Sequence, residues 1–278
     1  MDFHGAIDNM QKENAGSSHP EAGDYKKDGL LYCGHCDTPR QRKVNLLGKD
    51  YIFYKDCECR ALERQLDEAE KKRREFKKII QNRRNECFPD SKMQTWTFEN
   101  DDGSNAKYTA AMQRYVLNFE KFLKEGRGTI LHGPVGTGKT YLAASTANAL
   151  IDAGYPVIFT SLSRVASTLQ STWEKQEYID HLASVPLVII DDFGTERDTA
   201  YMKEIIFAVV NARYNAGLPL IVTTNKTMAE MINPEDLEEQ RIYSRLLEIC
   251  YPIEVTGRDK RRDKMKETYK PMRDILGV

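Results

Sequence analysis

The sequence predicts an α/β fold: a five-stranded parallel sheet flanked by helices, preceded by a small cysteine-bearing module and a long linking helix. Three observations carry that prediction. Short apolar runs alternate with helix-period segments between residues 129 and 255. Gly133-Pro134-Val135-Gly136-Thr137-Gly138-Lys139-Thr140 fits G-x-x-x-x-G-K-[ST], a phosphate-binding loop set between a strand and a helix. Leu187-Val188-Ile189-Ile190-Asp191-Asp192 is an apolar strand that ends in two acids.

Composition sets the bounds. A chain of 278 residues holds one substantial core and a small module. Its 41 basic and 42 acidic side chains leave a net charge of −1, so nucleic-acid contact must come from local patches rather than a global field. No apolar run approaches the roughly 18–20 residues that span a bilayer. Met1 to Asp28 is polar, without the apolar centre of a signal peptide, and is expected to be a disordered tail. Of six cysteines, four are clustered, which suits a reducing cytoplasm better than a disulfide framework.

The expected domain organisation is a tail over residues 1–28, a metal module over 29–60, a linking helix over 61–87 and the α/β domain over 88–278. In the module, Cys33, Cys36, Cys57 and Cys59 form C-x2-C-x20-C-x-C. Four thiolates from two tight turns can surround Zn²⁺ tetrahedrally. His35 could replace one of them, and free or redox cysteines are the alternative. Residues 43–47 and 50–54 read as a β-hairpin around Gly48-Lys49, in the manner of a zinc ribbon. A module this small has too little core to fold without such a staple. From Arg60 to Arg84 there is no Gly or Pro. Leu62, Leu66, Ala69, Phe76 and Ile80 recur at helical spacing, with Arg73 interrupting the seam. This is either a spacer helix or a face for another protein.

Within the α/β domain, residues 91–105 are expected to be irregular, with Trp96 placed to cover a nucleotide base or to pin the domain edge. A helix capped by Ser104 is expected to run to about Lys124. Thr129 to His132 is the strand entering the phosphate loop. There Gly133 to Thr140 would wrap the phosphates with backbone N–H groups. Lys139 would reach the β- and γ-phosphates, and Thr140 would hold Mg²⁺. Residues 156–160 form the next strand and 161–175 the next helix. At the end of the acid strand, Asp191 would hold Mg²⁺ through water and Asp192 would act as general base toward an attacking water. Leu218 to Asn225 is a fourth strand, which would place Asn225 beside the γ-phosphate if inserted between the other two. Residues 249–255 supply the fifth. Arg241 and Arg245 lie four apart on a helix, and Arg258 to Arg262 form a basic segment. Each group is either an arginine supplied to a phosphate or a solvated surface.

Taken together, GPVGTGKT, the LVIIDDFGTE strand, the IVTTN strand end, RIYSRL and GRDKR resemble the AAA+ ATPases, and among them the DnaC/DnaI-type helicase loaders and IstB-like transposition helpers. The likeness covers roughly Phe98 to Arg262. It implies a sheet in the order 5-1-4-3-2 without a C-terminal lid, weak partner- or DNA-stimulated ATPase activity, and ATP, Mg²⁺ and Zn²⁺ as cofactors. It assigns Asn225 as sensor 1, Arg245 as an arginine finger acting in trans, and Arg261 as the sensor 2 arginine. Asp259 stands where the family usually has serine, which keeps Arg258 in competition with Arg261. The implied partners are a hexameric DnaB-type helicase, single-stranded DNA and further copies of the chain. Residues 161–175, rich in hydroxyls and carrying Arg164, are one candidate DNA surface. A transposition helper and a P-loop nucleotide kinase are the competing readings.

Overall fold

The computed structural model of the protein describes Asn9 and residues 20–46 and 48–277. Most of the expected tail therefore lies outside the described residues. Its last part departs from expectation, because Tyr25–Lys27 is a strand. The chain divides into two compact units, residues 1–78 and 79–278.

In the first unit β1 (Tyr25–Lys27) pairs antiparallel with β2 (Leu30–Tyr32). The turn between them puts Asp28 at φ +52° and Gly29 at φ +75°, the left-handed pair that a tight two-residue hairpin requires. The strands β3 (Gln41–Leu46) and β4 (Lys49–Tyr54) form a second antiparallel hairpin, Gln41 opposite Tyr54 and Leu46 opposite Lys49. The apolar centre is small, consisting of Leu31, Tyr51 and two buried cysteines. Helix α1 (Glu58–Cys87) follows, two residues longer at its start and three at its end than its composition announced. Its Leu62 and Leu66 are 57% and 62% exposed. Beyond the division, Ile80 and Cys87 enter the core of the second unit together with Phe88.

The second unit is built on a parallel sheet of β5 (Gly128–His132), β6 (Val157–Ser161), β7 (Leu187–Phe193), β8 (Leu220–Thr224) and β9 (Cys250–Glu254). Its order is β6-β7-β8-β5-β9, the expected 5-1-4-3-2 when read from the other edge. Side chains alternate across these buried strands and feed two cores. Leu131, Ile189 and Ile221 face α2 (Ala106–Leu117), α3 (Phe119–Glu125) and α4 (Lys139–Asp152). Ile130, Val188, Ile190 and Val222 face α5 (Leu162–Ser171), α6 (Lys175–Ser184), α7 (Ala200–Ala216) and α9 (Leu237–Ile249). The short α8 (Met228–Ile232) precedes α9 and carries a reciprocal cap between Thr227 and Glu230.

Three local outcomes differ from the sequence reading. The helix expected from Ser104 to Lys124 is two helices, because the Asn118 side chain donates to the Arg114 carbonyl and its backbone leaves helical geometry. Its first cap position is Asn105, not Ser104. The helix begun at Ser161 stops at Ser171, and a separate helix, α6, follows. After β9 a single helix, α10 (Lys260–Leu276), begins at Asp259, whose carboxylate accepts the Arg261 and Arg262 N–H groups. Among the described residues no helix is long and apolar enough to cross a membrane.

Arg213 on α7 locks one end of the sheet. It is 0% exposed. Its guanidinium donates to the carbonyls of Leu182 at 3.0 Å, Val185 at 2.6 Å and Pro186 at 3.3 Å, and to that of Pro219. Burial lowers its pKa to about 10, so it stays charged at neutral pH. The segments entering β7 and β8 are thereby fixed to one side chain.

Candidate nucleotide site and thiol cluster

The phosphate loop leaves β5 at the carboxyl edge of the sheet, where ligands of open parallel sheets sit. Gly136 and Gly138 adopt φ +82° and +97°. A Cβ at Gly136 would lie 1.9 Å from Asp259 Oδ1, and one at Gly138 would lie 2.7 Å from Asn105 Nδ2. Both positions need glycine for conformation and for space. The loop is held from outside: Asn105, 4% exposed, donates to the Thr137 carbonyl at 2.8 Å, and Lys260 N–H donates to the Gly136 carbonyl at 3.0 Å.

Lys139 begins α4 and is buried. Its ammonium donates to the carbonyls of Gly133 and Pro134 and to Asn225 Oδ1, each at 2.8 Å. Burial lowers its pKa, while Asp192 and Asp191 pull it back up. So Asn225, at the end of β8, touches the P-loop lysine 86 residues away. Asp191 is 9% exposed and hydrogen-bonded to Thr223 Oγ1 at 2.5 Å and to the Thr140 side chain. Burial raises its pKa, the Thr223 hydrogen bond lowers it, and the Asp192 charge raises it again. Asp192 is exposed, with φ +55°. A cleft of about 510 Å³ gathers Gly138, Lys139, Thr140, Asp192, Asn225 and Arg261, with Trp96 and Tyr141 on its wall. The two rings pack 5.7 Å apart, and Tyr141 donates to the Thr97 carbonyl.

Both Arg258 and Arg261 are exposed, but only Arg261 lines this cleft; Arg258 is not among its residues. Arg245 is not among the cleft residues. Its guanidinium lies 4.7 Å from the Phe207 ring and 5.8 Å from that of Tyr214, and Nη1 is buried without a hydrogen-bond partner among the described residues. Sequence reasoning missed Thr223 and Asn105. Thr223 was visible only as one of two consecutive threonines at the end of an apolar strand, and Asn105 only as part of a Gly-Ser-Asn turn.

In the first unit the Sγ atoms of Cys33, Cys36, Cys57 and Cys59 all lie within 4.8 Å of one another. Cys33 and Cys59 are 3.7 Å apart, Cys57 and Cys59 3.3 Å. Tetrahedral Zn–S bonds of about 2.3 Å set sulfur atoms about 3.8 Å apart, so the donor set fits zinc. Within the group the Thr38 hydroxyl pulls the Cys36 thiol down, while burial raises that of Cys57 and the neighbouring thiols raise that of Cys59, so the fit rests on the sulfur geometry. His35 is exposed and outside the cluster. For Mg²⁺ the fit rests on Thr140 and a buried carboxylate, Asp191, that already share a hydrogen bond at the phosphate loop.

A phosphate loop, an acid strand two places away and an Asn-ended strand between them are the layout of an ATP-binding P-loop domain of the AAA+ class. The chain belongs to the IstB-like ATP binding protein family, whose model matches residues 57–268. It is 30% identical over 167 residues to an ATP-binding protein of an insertion sequence in Mycobacterium tuberculosis, a match covering 58% of this chain and 66% of that one. It is 26% identical over 181 residues to the replicative helicase loader DnaI of Bacillus subtilis, covering 59% of this chain and 58% of DnaI. With the loader DnaC of Escherichia coli K12 the identity is 28% over 142 residues, covering 47% and 58%. The chain thus spans 58–66% of the length of these curated relatives. Among solved structures, one of DnaI superposes with a TM-score of 0.53 at 24% identity, covering 64% of this chain and 98% of that one. One of the DnaC helicase loader gives 0.52 at 21%, covering 60% and 100%. These superpositions bear out the fold.

Proposed function

We propose that this protein is an ATP-hydrolysing switch that delivers a hexameric DnaB-type replicative helicase to single-stranded DNA. One observation carries the nucleotide half of this reading: Lys139, Thr140, Asp192, Asn225 and Arg261 meet in one cleft, with Asp191 bonded to Thr140. The helicase half rests on the likeness to the loaders DnaI and DnaC. The loop N–H groups and Lys139 bind the β- and γ-phosphates, the ammonium exchanging its present carbonyl partners for phosphate oxygens. Thr140 and Asp191 would hold Mg²⁺, which when bound neutralises charge developing between the phosphates. Asp192 takes a proton from the attacking water, and Asn225 orients that water. Arg261 faces the phosphates from the start of α10. Arg245 serves the cleft of a second copy, since it lies outside its own.

The thiol cluster supports a zinc-stapled docking module over residues 29–60, joined by the helix of residues 61–87 to the ATPase domain of residues 88–278. DNA contact is assigned to the hydroxyl-rich face of α5, with Arg164. The setting is the cytoplasm. The loader reading is tested by co-purification with a hexameric helicase, with and without ATP, lost when Cys33 and Cys36 become Ser. Lys139→Ala should lose nucleotide binding. Asp192→Asn should bind ATP yet turn over about 10²–10⁴-fold more slowly. Normal turnover in that variant sinks the general-base assignment. A second reading, a transposition helper, is favoured by the 30% identity to the insertion-sequence protein. Capture of a transposase and not of a helicase would decide for it.

A further inference from the structure

Strands β7 and β8 run in step until the acids. Val188, Ile189 and Ile190 face Leu220, Ile221 and Val222 in turn, but the next matched pair is Phe193 with Thr224. Three steps along β7 therefore answer two along β8, and Asp191 and Asp192 share one partner residue, Thr223. This is a β-bulge. In a regular strand neighbouring side chains point to opposite faces, so only one of two consecutive acids could address the cleft. The bulge re-aims them, at the cost of turning Asp192 to φ +55°, a conformation that residues with a Cβ seldom adopt.

One hydroxyl holds this arrangement. A threonine Oγ1 has a single proton and two lone pairs. In Thr223 the proton goes to Asp191 Oδ1 at 2.5 Å, and a lone pair accepts the Asp192 N–H at 2.9 Å. Thr223 is 0% exposed, so bulk water cannot stand in. On its far side the Asp192 carbonyl accepts Thr195 Oγ1–H at 2.7 Å and Thr195 N–H at 3.3 Å. Asp191 is thus fixed at its carboxylate and Asp192 at both of its peptide groups.

We propose that Thr223 is the positioning residue of the nucleotide site, setting the metal-holding acid and the general base at once through its one hydroxyl. This assignment rests on the ATPase reading above. Thr223→Val keeps the branched shape, and valine is at home in strands, so a purely structural role would leave the metal response unchanged. Loss of the hydroxyl should instead raise the Mg²⁺ or Mn²⁺ concentration for half-saturation about 10- to 100-fold and lower kcat by a similar factor. Metal-free ATP binding, which rests on the loop and Lys139, should stay within about twofold of the parent. Thr223→Ser keeps the hydroxyl and should restore both.

The experiment titrates Mn²⁺ by electron paramagnetic resonance in the presence of a non-hydrolysable ATP analogue. Mg²⁺-dependent turnover and thermal unfolding are followed on the same full-length samples. A parent-like metal titration and turnover in folded Thr223→Val overturns the proposal, as does failure of Thr223→Ser to restore them. If Thr223→Val does not fold, Thr223→Cys, similar in size with a weak donor, is expected between parent and total loss. A parent-like metal response there also overturns it. A parent chain that binds no ATP overturns the ATPase reading and this assignment together. A parent that binds ATP beside an unresponsive Thr223→Val overturns this assignment alone.

Discussion

Replacing Asn105 should weaken nucleotide binding even though its side chain is not among those lining the cleft. The Asn105 amide is buried and donates to the Thr137 carbonyl at 2.8 Å. A trans peptide points its C=O and N–H in opposite directions. Drawing the Thr137 carbonyl outward therefore turns the Gly138 N–H the other way, to the side where a phosphate oxygen would sit. Asn105→Ala removes a neutral hydrogen bond and strands a buried carbonyl, a loss of about 1–3 kcal/mol. If that falls on the bound shape of the loop, the Kd for ATP rises about 5- to 150-fold. Asn105→Asp, which aims a carboxylate at the carbonyl, should lose at least as much. The assay is a fluorescence titration with an ATP analogue, with thermal unfolding on the same samples. Folded Asn105→Ala that binds ATP within twofold of the parent would refute the reasoning.

Arg213→Met should destabilise the second unit by about 2–4 kcal/mol, because stranded carbonyls cost more than relief of the buried cation returns. Calorimetry should show a melting temperature roughly 5–15 °C lower, and an unshifted transition would be contrary evidence. Purified protein should carry about one zinc per chain, and chelation or Cys33→Ser with Cys57→Ser should unfold the first unit. Metal analysis finding none would remove the zinc assignment. Burial raises the Asp24 pKa, but the Glu21 N–H, Arg40 and the Gly34 N–H outweigh it and hold the carboxyl below its ordinary 3.8. Its folded value lies under its unfolded one, so its stabilisation is present above about pH 4 and is lost as pH falls through the folded value. Asp24→Asn should flatten the acid limb of the first unit's stability curve, and an unchanged limb would contradict the pairing.

The parts of the site that could be read in advance are those whose chemistry lies in consecutive residues. The loop from Gly133 to Thr140 and the apolar run into Asp191 each declare themselves within eight residues, whereas the strand order came from the family resemblance those motifs carry rather than from the residues themselves. Thr223 and Asn105 act across separations of 32 residues each, and a hydroxyl in a strand or an amide in a turn is too common to point anywhere. The bulge at Asp191 and Asp192 was equally hidden, since the apolar pattern of β7 gives no sign of an extra residue. Helix ends failed for a related reason: the break at Asn118 depends on one side chain choosing a carbonyl over solvent, which periodicity does not encode.

The aromatic seat of Arg245 bears on how a lone molecule behaves before it meets another. If it serves a neighbour as proposed, the guanidinium must leave Phe207 and Tyr214, giving up a ring attraction of about 0.5–2 kcal/mol. It must also leave a site where one of its nitrogens lacks a partner. The unmet nitrogen offsets part of the loss, so the departure is shallow. Under the proposed role in trans, a solitary copy would keep its charge parked against these rings until an anion on a second copy competed for it.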